Sequence, residues 1–197
     1  MLKSICVFCG SSSGANPSYL EAARNLGKVI AEKNIRLVYG GGNVGIMGEI
    51  ANSVLKNGGK VSGVIPKSLF DKELAHKGLT ELIVVDTMHE RKAKMSELSD
   101  GFIALPGGIG TIEEFFEVMT WAQLGFQVKP CGLMNVTGYY DALVNFMDHM
   151  TSEKFLRPEH RKIMIVEQEP LKLIEGLNDY KPSYNEKWLD EINMLEK

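Results

Sequence analysis

The chain has 197 residues, of which 44% are hydrophobic and 24% are charged. These proportions are close to the average for globular proteins, so they argue against disordered and fibrous classes. The formal net charge of −3 gives no general attraction for nucleic acid, and an anionic ligand therefore needs a local site. At this length we expect one domain over residues 1–197, with enough chain to bury a core.

The sequence predicts a cytoplasmic location without membrane association. It has no apolar stretch of the ~20 residues that cross a bilayer, and its first residues lack the apolar centre of a signal peptide. Cys6, Cys9 and Cys131 fit a reducing compartment. Cys6 and Cys9 form a C-x-x-C, but they lie in a predicted strand without a second ligand pair, so we interpret them as small buried side chains. No metal is expected.

Short apolar runs alternate with segments of helical period through nearly the whole chain, which predicts a parallel α/β sheet. The first strand is predicted at residues 5–9. Asn16 and Pro17 then offer an N-cap and a first-turn proline for a helix. Its predicted buried face contains Leu20, Ala23, Gly27, Ile30 and Ala31.

Six further strands are predicted at residues 35–39, 61–65, 82–85, 102–105, 132–136 and 163–166. Right-handed crossovers between them imply a doubly wound, mainly parallel, Rossmann-like sheet of about seven strands with helices on both faces. Ligands are expected at the carboxyl ends of the strands. A last helix is predicted at residues 186–195, where its apolar face has a structural role.

A glycine-rich loop, GGGNVGIMG, occupies residues 40–48 after the second predicted strand. Gly40, Gly42 and Gly45 satisfy G-x-G-x-x-G, so a nicotinamide dinucleotide site is one interpretation. That site also needs an acidic residue about 20 positions further on, whereas the next strand ends in Ile-Pro-Lys. A tight turn that only packs a helix is the alternative, and Gly41 and Gly42 are possible substrate-loop residues.

The segment MHERKAKM at residues 88–95 follows the strand predicted at 82–85. Arg91 and Lys92 fall in the first turns of a helix, where positive charge is unfavourable by about 0.3–1 kcal/mol. Binding of an anion or of a π-electron base would explain these two cations. A solvated helix face shared with Lys94 is the simpler alternative.

The most informative segment is PGGIGTIEE at residues 106–114. Its glycines let the backbone approach a phosphate, to which a helix N-terminus and the Thr111 hydroxyl can donate hydrogen bonds. Glu113 and Glu114 are predicted in the first turn of the following helix, where their charge would repel a phosphate. We therefore expect one of them to act on another part of the ligand.

These three segments, followed by TWAQLG at residues 120–125 and CGLMNV at 131–136, strongly resemble the LONELY GUY family. Its members are cytokinin riboside 5′-monophosphate phosphoribohydrolases, and bacterial relatives often carry the older label of lysine-decarboxylase-like proteins. Decarboxylation of lysine would require pyridoxal phosphate and a Schiff-base lysine, and no lysine in the sequence stands out for that role. The resemblance extends from residue 5 to about residue 140.

The resemblance implies a homodimer at least and hydrolysis of a purine nucleoside 5′-monophosphate, AMP or an N6-substituted AMP, to free base and ribose 5-phosphate without a cofactor. It further implies a set of substrate-binding residues: Glu73, Met88, Arg91, Lys92, Gly107, Gly108, Ile109, Gly110, Thr111, Glu114 and Thr120. The sequence around Glu73, LFDKELAHKGL, departs from the plant-like pattern PREITGE, so a different preference for base substituents is expected.

Cleavage of an N-glycosidic bond builds positive charge on the ribose and negative charge on the departing base. Glu114 is the predicted catalytic carboxylate, which stabilises the oxocarbenium ion or activates water, because it lies about one helical turn from the phosphate turn. Arg91 is predicted to hold the leaving base, and Glu113 to support the loop. A nucleotide-binding carrier or regulatory module without turnover is the alternative function, although a pure binder gains nothing from a carboxylate beside an anion.

Overall fold

A computed structural model describes residues 1–70 and 75–182. Within them lies a seven-stranded parallel sheet of order β4-β3-β2-β1-β5-β6-β7. The strands are β1 (Ser4–Phe8), β2 (Arg36–Tyr39), β3 (Val61–Pro66), β4 (Glu81–Val85), β5 (Phe102–Ala104), β6 (Cys131–Met134) and β7 (Met164–Glu167). The predicted doubly wound α/β class and the count of seven strands are confirmed.

The described helices are α1 (Ser18–Glu32), α2 (Gly45–Lys56), α3 (Lys67–Phe70), α4 (Met88–Glu97), α5 (Ile109–Gln123), α6 (Asp141–Ser152), α7 (Pro158–Arg161) and α8 (Pro170–Asp179). Two apolar clusters cover the two faces of the sheet. Ile5 and Val7 of β1 pack with α1, α2 and α8, whereas Cys6 and Phe8 pack with α5 and α6. Because successive side chains of a strand point to opposite faces, helices cover both faces, as predicted.

The start of α1 differs from the prediction by one residue. Pro17, rather than Asn16, occupies the cap position, and the Asn16 side chain accepts a hydrogen bond from the Ser18 backbone N–H at 3.0 Å in the turn before the helix. The predicted buried face is confirmed except for Leu20, which is half-buried, and Ala22 and Leu26 complete it.

Strand boundaries differ from the predictions by one or two residues. β1 ends at Phe8, so Cys9 lies just beyond the strand at its carboxyl end. β6 ends at Met134 rather than at 136, because a 3₁₀ turn (Val136–Gly138) begins there, with Thr137 and Gly138 both at positive φ. The predicted helix at 186–195 lies outside the described residues, and the single domain over residues 1–197 stays a prediction.

The direction of winding reverses between β1 and β5, which are neighbours in the sheet. The helix after β1 packs on one face and the helix after β5 packs on the other. The loops that leave these two strands meet, since the Gly10 N–H donates to the Pro106 carbonyl at 3.1 Å. In open α/β sheets this reversal creates a ligand crevice outside the carboxyl ends of the strands.

Within the described ranges, every helix is too short or too polar to cross a bilayer.

Candidate active site

The glycine-rich turn after β5 lies at the crevice. Gly107 is half-buried, whereas Gly108, Ile109 and Gly110 are exposed. A Cβ atom placed on Gly108 or Gly110 would meet no atom within 4 Å, so the space in front of the turn is open. The first four N–H groups of an α-helix have no carbonyl one turn behind them. The start of α5 therefore presents donors to open space at the place predicted for a phosphate.

The helix begins earlier than the sequence predicts. α5 starts at Ile109 with Gly108 at the N-cap in an extended conformation, and its first turn carries no acidic residue. Glu113 and Glu114 consequently lie in the second turn, so their predicted place in the first turn is wrong. The physical reason is that Gly110 and Thr111 continue the helix rather than the loop. The shift moves both carboxylates away from the N-terminal end of the helix.

Glu114 lies three residues after Thr111, on the same side of α5. Burial raises the pKa of Glu114 to about 7, while the positive charge of Arg91 acts in the opposite direction and the negative charge of Glu113 adds to the rise. The carboxyl is therefore close to half-ionised at neutral pH. A group with such a pKa can act in proton transfer or present a desolvated negative charge to a cationic transition state.

Arg91 comes to the same site from α4, which begins after β4. The Thr87 hydroxyl caps this helix by accepting a hydrogen bond from the Glu90 N–H at 3.1 Å. Only 7% of Arg91 is exposed, and its Nε–H has no hydrogen-bond partner in the part of the chain that the structure describes. Its other contacts are long, at 3.4 Å to the Gly40 carbonyl and 3.6 Å to the Met88 sulfur.

A buried guanidinium with an orphaned donor is costly unless something completes its hydrogen bonds. Within residues 1–70 and 75–182, no carboxylate forms an ion pair with Arg91. Its charge nevertheless acts on Glu114 and on the thiols of Cys6 and Cys9. Arg91 is thus a buried cation close enough to Glu114 to act on its pKa, and Glu114 lies one turn after the glycine-rich turn, so the arrangement can accept an electron-rich ligand.

The loop GGGNVGIMG at residues 40–48 leaves the space that the Arg91 guanidinium occupies. A Cβ atom on Gly40 would overlap the Arg91 guanidinium, so only glycine allows the arginine to lie against this loop. Gly41 and Gly42, the possible substrate-loop residues, are both buried. The Gly41 carbonyl accepts a hydrogen bond from the His76 N–H, and Gly42 pairs with Ala75. A role for Gly41 and Gly42 in substrate binding stays a prediction.

Lys92 differs from Arg91 because its ammonium is paired with carboxylates. Its ammonium lies 2.7 Å from a Glu113 oxygen and 2.9 Å from a Glu117 oxygen, and the hydrogen bond to Glu113 is the main reason why the pKa of Lys92 is raised. Lys92 therefore ties α4 to α5, and Glu113 supports the site through it. Substrate binding by Lys92 remains a prediction.

The other predicted contacts lie in different surroundings. Met88 and Ile109 are exposed, at 43% and 90%. The Met88 sulfur contacts Arg91, and Ile109 follows Gly108 at the start of α5. Thr120 is exposed on α5, nine residues or about 13 Å along the axis from Thr111, so the structure does not bring it to the turn. Glu73 lies outside the described residues.

The cysteines show no sign of reactive thiols. Cys6 and Cys131 are buried, Cys9 is half-buried, all three are free, and burial raises the pKa of each thiol. A raised pKa keeps sulfur protonated and unreactive, which agrees with the interpretation as small packing side chains. In the described ranges, no group of three His, Cys, Asp or Glu side chains has the arrangement of a metal site.

Two tyrosines contact the glycine-rich turn and were not predicted from the sequence. The Tyr139 hydroxyl donates to the Gly107 carbonyl and the Tyr140 hydroxyl to the Leu105 carbonyl, each at 2.6 Å. They follow β6, which lies beside β5 in the sheet. Their position after a strand end at the same sheet edge is the only sequence signal that points to them.

Fold and site together define a Rossmann-like protein with a ligand crevice at the switch point of its sheet. The family profile described as "Possible lysine decarboxylase" matches residues 47–177. Cytokinin riboside 5′-monophosphate phosphoribohydrolase LOG7 of Arabidopsis thaliana is 50% identical over 93% of this chain and 85% of its own length. The probable phosphoribohydrolase LOGL2 of Oryza sativa subsp. japonica is 49% identical over 91% of this chain and 74% of its own length.

The chain therefore belongs to this family, as its resemblance to the LONELY GUY proteins predicts. Among solved structures, the molybdenum cofactor carrier protein of Chlamydomonas reinhardtii matches with a TM-score of 0.67 at 21% identity, over 90% of this chain and 97% of its own. The molybdenum cofactor binding protein of Rippkaea orientalis matches with a TM-score of 0.66 at 22% identity, over 90% of this chain and 96% of its own. At these identities the likeness is one of fold alone.

Proposed function

We propose that this chain is a nucleoside 5′-monophosphate phosphoribohydrolase, which cleaves the N-glycosidic bond of AMP or an N6-substituted AMP to free base and ribose 5-phosphate. The observation that carries the proposal is the buried Arg91, whose Nε–H lacks a partner among the described residues, beside a carboxyl and an anion-binding turn. The relatives at about 50% identity are named phosphoribohydrolases of cytokinin riboside 5′-monophosphates, which supports the same reaction class.

Phosphate binding at the start of α5 is the first step of the proposed mechanism. The donors of Gly108 to Thr111 and the Thr111 hydroxyl bind the 5′-phosphate, and the helix dipole adds to the attraction. Glu114, one turn further on, then lies about a ribose length away from the phosphate. Binding at the remote phosphate fixes the position of the reacting carbon, which is how binding energy contributes to the rate of the chemical step.

Bond cleavage separates charge between the ribose and the base. Ionised Glu114 stabilises the positive charge at C1′ or accepts a proton from the attacking water. Arg91 donates to the purine as negative charge grows on it, and its guanidinium stays protonated at every working pH. Both groups are desolvated before the substrate enters, so their electrostatic effect on the transition state is stronger than in water. The water oxygen ends on C1′, and the base leaves with a proton.

The older label of the family does not fit the side chains at this site. Lysine decarboxylation would need pyridoxal phosphate held by a lysine at the anion-binding turn. Lys92 is the lysine that contacts α5, and its ammonium forms ion pairs with Glu113 and Glu117. Lys129 has a lowered pKa because of burial, but it precedes β6 at the opposite sheet edge and donates to the Ser96 carbonyl at 2.7 Å.

A homodimer is part of the proposal. Exposed apolar side chains cluster where α5 ends and the chain continues to β6, with Leu124 39%, Phe126 78% and Val128 55% exposed. Phe126 and Val128 also line a cavity of about 520 Å³ together with Trp121 and residues of α4. Contiguous apolar surface of this kind is typical of protein interfaces, and a second copy of this chain is the partner that the family resemblance implies.

The proposal is tested by incubating chelator-treated protein with AMP, N6-substituted AMP and adenosine, and by chromatography of the released base. We expect release from the monophosphates and a much lower kcat/KM for adenosine, because the turn at α5 contributes only when a 5′-phosphate is present. No base from any purine monophosphate would reject the proposed function. Equal kcat/KM for adenosine and AMP would reject the role of the turn.

A further inference from the structure

Three successive carbonyl groups at the glycine-rich turn accept hydrogen bonds from two distant segments of the chain, the loop after β1 and the residues after β6. The Leu105 carbonyl accepts from the Tyr140 hydroxyl at 2.6 Å, and the Pro106 carbonyl accepts from the Gly10 N–H at 3.1 Å. The Gly107 carbonyl accepts from the Tyr139 hydroxyl at 2.6 Å. Every carbonyl from the end of β5 to the N-cap of α5 is therefore held in one orientation.

The orientation of the Pro106 and Gly107 carbonyls fixes the direction of two N–H groups of the turn, whereas the Leu105 carbonyl precedes Pro106, which has no N–H. In a trans peptide group, the C=O of one residue and the N–H of the next point in opposite directions. The bond from Tyr139 to the Gly107 carbonyl thus sets the direction of the Gly108 N–H, and the bond from Gly10 does the same for the Gly107 N–H. The peptide between Gly107 and Gly108 is flanked by two glycines, so sterics alone do not prevent its rotation.

The two tyrosines are themselves held firmly. The Tyr140 N–H donates to the Asn135 side chain at 2.7 Å, and Asn135 in turn donates to Asp141 at 2.7 Å. The Tyr139 and Tyr140 rings pack edge to face with centroids 4.9 Å apart. Tyr140 is buried, whereas 41% of Tyr139 is exposed at the side of the crevice. This support makes the hydroxyls fixed donors rather than mobile ones.

We infer that Tyr139 is a positioning residue for the 5′-phosphate site, since its hydroxyl holds the Gly107 carbonyl away from the bound anion and so aims the Gly108 N–H at it, while the Tyr140 ring supports that of Tyr139. This inference rests on the proposed function. Loss of the Tyr139 hydroxyl frees the Gly107–Gly108 peptide to rotate, which would turn a carbonyl oxygen toward a phosphate. The cost then falls on phosphate binding and not on the base or the bond that breaks.

The variant Tyr139→Phe tests this because it removes one hydroxyl and keeps the ring. We expect the affinity for ribose 5-phosphate, measured by calorimetry, to fall about five- to tenfold, as for loss of one hydrogen bond. KM for AMP should rise by a similar factor with kcat little changed. The low kcat/KM for adenosine should stay the same, because adenosine has no phosphate. A role in folding alone would instead lower both substrates' kcat/KM together.

Matched variants separate the hydroxyl from the ring. Tyr19→Phe removes a hydroxyl from the ring that packs edge to face on Tyr139 at 5.4 Å, and it should leave ribose 5-phosphate affinity at the parental value. Tyr139→Leu removes hydroxyl and ring together, and its affinity should fall at least as far as that of Tyr139→Phe. Tyr140→Phe removes a hydroxyl that orients no N–H of the turn and keeps the ring on which Tyr139 packs, so a folded Tyr140→Phe variant should lose less affinity than Tyr139→Phe.

The outcomes distinguish this inference from the function on which it rests. A parent chain that cleaves AMP and binds ribose 5-phosphate, together with a Tyr139→Phe variant of equal affinity, overturns the inference and leaves the function standing. Equal losses of AMP and adenosine cleavage in Tyr139→Phe also overturn it. A parent chain that neither cleaves AMP nor binds ribose 5-phosphate overturns both.

Discussion

At the scale of single residues, burial affects the two charged groups Glu114 and Arg91 in different ways, because only the carboxyl can become neutral. Burial moves the carboxyl toward its neutral form and raises its pKa to about 7. Arg91 cannot relieve its burial by losing a proton, so its Nε–H, which has no partner within residues 1–70 and 75–182, is available to a ligand. Sites that keep such unrelieved groups do so for function more often than for stability.

The pH dependence of AMP cleavage follows from the carboxyl. Because the pKa of Glu114 is raised, the carboxyl is protonated below about pH 7 and ionised above it. The proposed role needs the ionised form, so kcat/KM should rise with pH through about 7 and then reach a plateau. A rate profile between pH 5 and 9 measures it, with Glu114→Gln as the control that should lose this rise. A parent profile that falls across the same interval would contradict the assignment.

At the scale of elements, the fold could be predicted from the sequence because each strand and helix has its own periodicity. The seven apolar runs identify the seven strands, and their errors lie at the ends, where turns such as that at Thr137 and Gly138 compete with the strand. The places of the glycine-rich turn and of Arg91, each in a segment that follows a strand, could be predicted since each motif is local, whereas their binding roles stay predictions. The ion pair between Lys92 and α5 could not be predicted, and neither could the hydrogen bonds of the two tyrosines to the turn. Those contacts depend on how distant segments pack.

The loop after β2 should control Arg91 through the space at Gly40. In Gly40→Ala the new methyl group would occupy the place of the guanidinium, and the flexible arginine side chain should move rather than the backbone. We expect kcat/KM for AMP to fall about 10- to 100-fold, as for loss of a preorganised group. Gly101→Ala, whose Cβ would meet its nearest atom at 3.3 Å at the opposite end of β5, is the matched control and should keep activity.

A double variant makes the Gly40 test specific. If Gly40→Ala acts by displacing Arg91, adding it to Arg91→Ala should cause little further loss, because the two changes remove the same interaction. Losses that multiply would show that the loop acts on the substrate by another route. Thermal unfolding of each variant checks that the fold persists.

The start of α5 should bind phosphate only while position 110 stays small. A Cβ atom at Gly110 would meet no atom within 4 Å, so we expect Gly110→Val to fold with a thermal midpoint near that of the parent. The valine would instead fill the space proposed for the phosphate. We expect at least a tenfold loss of AMP affinity by calorimetry, with a smaller loss for Gly110→Ala. Parental affinity in the valine variant would mean that the turn has only a structural role.

At the scale of the whole molecule, the apolar cluster at the end of α5 predicts self-association. A charge in a buried apolar interface is costly, so Phe126→Asp should shift the chain from dimer to monomer in sedimentation experiments. Phe155→Asp is the matched control, because Phe155 is 86% exposed and lies elsewhere, after α6. Dimers that persist in Phe126→Asp, or a monomeric parent, would contradict this interface.

The proposed function requires a crevice that does chemistry rather than one that only holds a nucleotide. Glu114→Gln separates these, because the change is nearly isosteric and removes only the charge. We predict that single-turnover release of adenine from AMP falls by about 10²-fold or more, or about 3 kcal/mol, while the affinity for AMP is retained or slightly tighter. Unchanged adenine release by Glu114→Gln, with AMP cleavage intact in the parent, would contradict it.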